Sequence, residues 1–331
     1  MREFWRQLVH ELEAGKGAEL VSILTSTGST PRSAGAVMAV FADGRSIGTI
    51  GGGNAEYQAQ QLSVELLAKR QDAVRELRFV PGDPAGLGVC GGGVTVHFQY
   101  LSGGDSSVTA VIRDLIGAFG GDLNTWLIRR LEGERVTAIG LADRNGVRYL
   151  DAELPENLLQ SRAVWKDGWF VLPAVRAGKV YIFGGGHVSQ ALAPVLAAVG
   201  FRIAVYDDRP EFADLALFPA AEAVYCGDFT RLSEQVYVTE DDYVVVMTRG
   251  HQADYEVLTQ VLRSDAKYLG CIGSRRKLAF CRDRLLEAGF TTEEYARLHA
   301  PIGLEIGAET PEEIAVSVAA ELIAVRAGKI K

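Results

Sequence analysis

Apolar positions in the second half of the chain come in short runs, Val180 to Phe183, Arg202 to Tyr206, Glu222 to Tyr225, Tyr243 to Met247 and Lys267 to Ile272. Stretches of helical periodicity separate them. Runs of that length alternating with helices predict a parallel sheet covered on both faces. The stretch Lys179 to Arg209 is the most explicit, reading as strand, glycine turn, helix and a second strand that ends in acid. Gly184 and Gly186 permit the turn, Ser189 stands at the third glycine position of a G-x-G-x-x-G pattern, and Asp207 follows where such folds bind a ribose hydroxyl. The pattern predicts half of a Rossmann unit.

The first half has a different texture. Phe4, Trp5, Leu8, Val9 and Leu12 form one helical stripe, with His10 off it. Strands are expected at Ala18 to Leu24, Val37 to Phe41 and Ser46 to Ile50, the last two joined by an Asp43-Gly44 hairpin turn. An ordered loop, Thr25 to Gly35, lies before the hairpin. The run Val94, Val96, Phe98 and Tyr100 alternates with Thr95, His97 and Gln99, which predicts a half-buried strand with His97 on a solvated face. A helix over Val108 to Phe119 and a meander of strands follow, so the expected fold class is α/β: an N-terminal α+β domain (residues 1–176) and a C-terminal Rossmann-like parallel-sheet domain (residues 177–331).

Composition adds exclusions. The 331 residues are 48% hydrophobic and 23% charged, with 34 basic against 42 acidic residues for a net charge of −8. An acidic chain with scattered basic residues argues against nucleic acid and anionic membrane as partners. The N-terminus opens on an amphipathic helix instead of a leader pattern, and no apolar run approaches ~20 residues, so a cytoplasmic location is expected. Cys90, Cys226, Cys271 and Cys281 form no C-x-x-C pair, which fits neither a disulfide framework nor a zinc knuckle.

Candidate chemistry concentrates in loops. Gly51, Gly52 and Gly53 open a helix that also carries Glu56, and backbone N–H groups there suit an anion, with a plain strand-to-helix connection as the alternative. Cys90 lies in the glycine-dense stretch Pro81 to Gly93, where amides could favour its thiolate. In the second half His187 follows the first strand, Arg249 and His251 follow the fourth, and Ser274, Arg275, Arg276 and Lys277 follow the fifth. Ligands collect at those carboxyl ends. His251 could act as a base or an anion donor beside Asp254 or Asp207. His299 and Glu305 lie in a loop whose periodicity assigns them no role.

Taken together, GSTPRSAGAVM, GTIGGGNAE and GVCGG in the first half, then IFGGGHV, YDDRPEFA, VVVMTRGHQAD, IGSRRK and HAPIGLEIGAETPEEIAVS, resemble the XdhC/CoxI family of xanthine dehydrogenase accessory proteins. The resemblance spans nearly the whole chain. It implies a chaperone that binds the molybdenum cofactor (molybdopterin) as cargo, shields it and hands it to a xanthine dehydrogenase-type molybdenum hydroxylase, without turnover chemistry of its own. It further implies a homodimer and a cysteine desulfurase partner. A terminal phosphate suits the glycine loops and the basic helix start, and Cys90 is the candidate soft ligand to molybdenum. The chain departs from the family pattern at Gly185, expected to loosen the glycine turn, and at Cys271, expected to add a second thiol near a cleft between the glycine loops and the sheet. The competing readings are an NAD(P)-dependent oxidoreductase using Gly184, Gly186 and Asp207, and an interaction protein that docks on the hydroxylase alone.

Overall fold

The computed structural model describes residues 1–78, 92–155 and 157–330, and divides into two compact units, Met1–Ala177 and Gly178–Lys331. In the first unit the elements run α1 (Arg2–Glu13), β1 (Ala18–Thr27), β2 (Val37–Phe41), β3 (Ser46–Gly48), α2 (Gly53–Lys69), β4 (Ala73–Arg78), β5 (Gly93–Leu101), α3 (Ser106–Ala118), β6 (Thr125–Glu132), β7 (Arg135–Asp143), β8 (Gly146–Arg148), β9 (Val164–Lys166) and β10 (Trp169–Val175). They build two five-stranded sheets, in the orders β3-β2-β1-β5-β4 and β8-β7-β6-β10-β9. Neighbouring strands are antiparallel, as in β1 with β5 and β6 with β7.

Alternation along β1 explains how both its faces are used. Leu20 and Leu24 join a core with the α1 stripe, Leu115 of α3 and Phe170 of β10, while Val21 and Ile23 point the other way, against Ala55, Ala59 and Leu66 of α2. The expected solvated face of β5 is therefore absent. His97 is fully buried because β6 lies over that face, where the Arg129 guanidinium donates to Gln99 Oε1 (3.0 Å). The imidazole Nε2 faces the Glu134 carbonyl at 2.9 Å, and burial together with the nearby Arg129 charge pushes its pKa down to about 3.

The same covering isolates other polar groups. Arg129 lies over the Phe170 ring at 4.8 Å, with Nε and Nη2 unpartnered among the described residues. Both Glu19 carboxyl oxygens, on β1, are likewise buried without a partner, and burial plus the Asp72 charge raise its pKa to about 9. Asp72 itself ties the two sheets together, accepting from Tyr100 N and Val136 N, each at 2.9 Å.

The second unit contains β11 (Lys179–Phe183), α4 (His187–Ala198), β12 (Arg202–Asp207), β13 (Ala223–Cys226), β14 (Tyr243–Val246), α5 (His251–Val261), β15 (Tyr268–Cys271), α6 (Arg275–Glu287), α7 (Thr292–Tyr295), β16 (Leu298–His299) and α8 (Pro311–Arg326). Its six strands are parallel in the order β13-β12-β11-β14-β15-β16, and this order reverses direction between β11 and β14. That is the doubly wound order of a Rossmann sheet, with its switch point at the β11–β14 crevice. The near-continuous apolar strands follow from cover on both faces. Leu192, Leu196, Val318 and Leu322 of α4 and α8 pack on Val180, Ile182 and Val205, while Val257, Leu258, Leu278 and Leu285 of α5 and α6 pack on Phe183, Val244 and Val246.

α8 starts on the expected capping box: Thr310 Oγ1 accepts from Glu313 N (3.3 Å), Glu313 Oε2 accepts from Thr310 N (3.0 Å), and Pro311 takes the first helical position. Its Glu321 gathers the loop ahead of it, accepting from Tyr268 OH at 2.7 Å and Gly303 N at 2.6 Å, with His299 Nδ1 at 2.8 Å. His299 thus has a partner inside the fold, whereas Glu305 is exposed.

Glu19 makes the fold pH-sensitive. Its carboxyl stays protonated in the folded state up to about pH 9 but ionises near 4.5 when unfolded, so its contribution is full below 4.5 and is lost as pH rises toward 9. Glu19→Gln keeps the shape without the ionisation. It is expected to match the wild type near pH 4.5 and to exceed it by about 3 kcal/mol at pH 7 in urea denaturation.

Candidate functional site

The carboxyl edge of the parallel sheet is assembled by three strand-to-helix turns. After β11, Gly184 adopts φ +112°, and a Cβ there would lie 2.3 Å from the Met247 carbonyl oxygen. At Gly185 a Cβ would lie 2.2 Å from the Phe212 carbonyl oxygen. Gly186, in contrast, has φ −70° with open space around it. The tight turn therefore requires Gly184 and Gly185, and not Gly186 as the spacing suggests. A Cβ at 185 would force the Phe212 carbonyl to shift, so the close approach of that carbonyl is what glycine at this position serves. Ser189 is accommodated at the third position because its hydroxyl turns back to donate to the Gly184 carbonyl at 2.5 Å.

Asp207, at the end of β12, is 1% exposed. Its Oδ2 accepts from Gly185 N (2.7 Å) and Arg209 Nη2 (2.9 Å), and its Oδ1 accepts from Arg209 N and Nε, both at 2.9 Å. Burial pushes its pKa up, but the Arg209 guanidinium and the two amides more than offset that and hold it below the usual range. Asp208 next to it pairs with Arg249 at 2.8 Å.

After β14, Thr248 turns the chain into α5. Asp254, in the first turn of that helix, accepts from Thr248 N (3.1 Å) and Thr248 Oγ1 (2.5 Å) and forms an ion pair with Lys277. The expected pairing of His251 with Asp254 or Asp207 is thus replaced by Lys277 and Arg209. His251 is exposed at the helix start, its ring edge-on to Phe280 at 5.4 Å. Of the basic triplet opening α6, Lys277 turns inward while Arg275 and Arg276 stay exposed. Ser274 caps its own helix, accepting from Lys277 N at 3.3 Å. Among the described residues α4 and α5 have no side-chain cap; Gly186 and Gly250 precede them, and His187 is exposed at the start of α4.

In the first unit, Gly51, Gly52 and Gly53 all have positive φ (138°, 76° and 66°). Their turn is an amide nest, but its occupant is internal: Glu56 Oε2 accepts from Ile50 N (2.9 Å), Gly51 N (3.2 Å), Gly52 N (3.0 Å) and Thr49 Oγ1 (2.5 Å). Burial raises the Glu56 pKa, yet the Thr49 hydroxyl and these amides together leave it lowered. A ligand anion would have to displace that carboxylate. Cys90 lies outside the described residues.

The remaining thiols separate by environment. Cys226 is exposed at the end of β13, whereas Cys271 at the end of β15 and Cys281 on the inner face of α6 are buried in one core. Burial raises both thiols, Cys281 to about 11 and Cys271 further, so Cys271 is a buried packing residue of the core. Among the described residues no group of three or more His, Cys, Asp and Glu could hold a metal ion. Nor is any helix there long and apolar enough to cross a membrane. Sequence reasoning missed Arg209 and Lys277 as partners; their signals were the D-x-R spacing of Asp207 and Arg209 and the oddity of a lysine in a first helical turn.

Two family models match this chain, the XdhC Rossmann domain over residues 180–322 and the XdhC and CoxI family over residues 11–79. The chain belongs to the XdhC and CoxI family. It is 28% identical over 309 residues to the uncharacterized protein YqeB of Escherichia coli (strain K12), covering 93% of this chain and 43% of that protein, so it spans less than half the length of that relative. It is 27% identical to the molybdenum cofactor insertion chaperone PaoD of the same organism, covering 98% of this chain and 88% of PaoD. Identity to a probable xanthine dehydrogenase subunit of Bacillus subtilis (strain 168) is also 27%, over 98% of each chain. A crystal structure described as a xanthine dehydrogenase from Bacillus halodurans superimposes with a TM-score of 0.80 at 23% identity, over 99% of this chain and 97% of that one, which shows a shared fold.

The two glycines of the Rossmann turn separate experimentally. In this XdhC-family chain Gly185→Ala drives a methyl into a backbone carbonyl and is expected to cost about 2 kcal/mol or more. Gly186→Ala meets open space and is expected to cost under about 1 kcal/mol. Urea midpoints of the two variants check the difference.

Proposed function

We propose that this protein binds the molybdenum cofactor in its molybdopterin form, protects it, and delivers it in the cytoplasm to a xanthine dehydrogenase-type molybdenum hydroxylase. The observation that carries the reading is the end-to-end relationship to a protein named as a molybdenum cofactor insertion chaperone, over 98% of this chain. Geometry supports it. The carboxyl edge of the parallel sheet carries two helix starts without side-chain caps and the exposed side chains of His187, Arg249, His251, Arg275 and Arg276. Amides at a helix start and guanidinium groups both favour a terminal phosphate. Arg275 and Arg276 lie against their own helix dipole, a placement that costs stability and gains only when an anion is present. Cys90 supplies the soft thiolate for molybdenum in this reading. The chain acts as a homodimer and meets a cysteine desulfurase while the cargo is held.

Mixing the purified full chain with molybdopterin is expected to yield a stoichiometric complex, read by fluorescence of the released and oxidised pterin after gel filtration. Replacing both Arg275 and Arg276 by Ala is expected to weaken it about tenfold, and Cys90→Ser to weaken only the molybdenum-loaded form. Absence of any complex with the wild-type chain removes the proposal.

A further inference from the structure

A parallel doubly wound sheet offers a dinucleotide three features at its first turn: an acid whose free oxygens accept from the adenosine ribose, glycine-turn amides aimed at the pyrophosphate, and an empty space over the glycines for close approach. The acid and the Gly185 part of the turn are occupied here by the chain itself, whereas Gly186, at the second glycine position, has open space around it. The Asp207 carboxylate has about four lone-pair sites, and it receives four donated hydrogen bonds, three from Arg209 and one from Gly185. The Gly185 amide is thereby spent on Asp207. The space over Gly185 is filled by the Phe212 carbonyl, 2.2 Å from the place a Cβ would take.

Arg209 joins the closures at Asp207 and Gly185. Its guanidinium lies 3.7 Å from the centre of the Phe212 ring, and its carbonyl accepts from Phe212 N and Ala213 N, each at 3.0 Å. One residue therefore grips both the acid and the turn that covers Gly185. Its side chain is 21% exposed, so the pair with Asp207 is largely withdrawn from water, and a ribose diol would exchange a charged bidentate partner for two neutral hydroxyls.

We propose that Arg209 is a specificity-determining residue that closes the adenosine-ribose position of the Rossmann turn, so that the unit rejects nicotinamide dinucleotides despite carrying their strand order and acid. This role for Arg209 goes beyond the cargo reading and does not depend on it. It also gives the D-x-R spacing at Asp207 and Arg209 a meaning the glycine pattern alone does not reveal.

Isothermal titration of the full chain with NAD, NADP and ADP-ribose is the test, on the wild type, Arg209→Ala and Arg209→Lys. The wild type is expected to show no binding tighter than about 1 mM, while Arg209→Ala gains at least about tenfold for ADP-ribose. Arg209→Lys, which keeps the charge but not the planar fork, is expected to fall between them. Thermal melts identify folded variants, and if the alanine variant is unfolded the lysine variant decides. Micromolar binding of NAD or NADP by the wild type overturns the inference, as does loss of NADP affinity in Arg209→Ala, which would make the guanidinium a 2′-phosphate ligand. A folded variant without gain overturns it as well.

Discussion

A carboxylate withdrawn from water must find donors inside the protein, and in this chain that requirement shapes the strand ends. Glu56, Asp207, Asp254 and Glu321 each lie behind a turn and collect the amides, hydroxyls or cations around it. A single charged group with three or four donors fixes the path of the backbone more firmly than apolar contact, because any departure leaves a charge unsatisfied in a poorly polarisable interior. The glycine turns of both units owe their shape to such an internal anion. Their flexibility alone would permit many conformations.

This arrangement changes what glycine-rich turns mean for function. Amide nests and helix starts are ready anion sites, but a nest already holding a carboxylate is a structural device. At Gly51 to Gly53 the occupant is Glu56, and at Gly185 it is Asp207. The open groups are elsewhere on the sheet edge, at the uncapped starts of α4 and α5 and at the exposed Arg275 and Arg276. An anionic cargo is therefore served by surface cations and helix ends, with the buried carboxylates acting as their scaffold.

The first unit shows the opposite treatment of buried polarity. Glu19, His97 and Arg129 are enclosed by helix and sheet with few partners, and each is shifted toward its neutral form. That cost is carried by two extensive apolar layers, one on each face of β1. A strand with cover on both faces has no solvent side for its polar residues, whatever its alternation suggests.

Much of the architecture was legible in the chain. The α1 stripe, the strand runs of the parallel sheet, the Thr310 capping box and the ordered motif set all act through neighbours a few residues apart, and local periodicity reports such contacts. Family membership rests on the same short motifs. What the sequence could not rank were choices settled by residues distant along the chain. The Phe212 carbonyl makes Gly185 obligatory, Lys277 claims Asp254 from His251, β6 covers His97, and the packing of α5 and α6 buries Cys271. Each is decided by which long-range neighbour lies close enough in space to satisfy or desolvate a group, and only the tertiary structure states that.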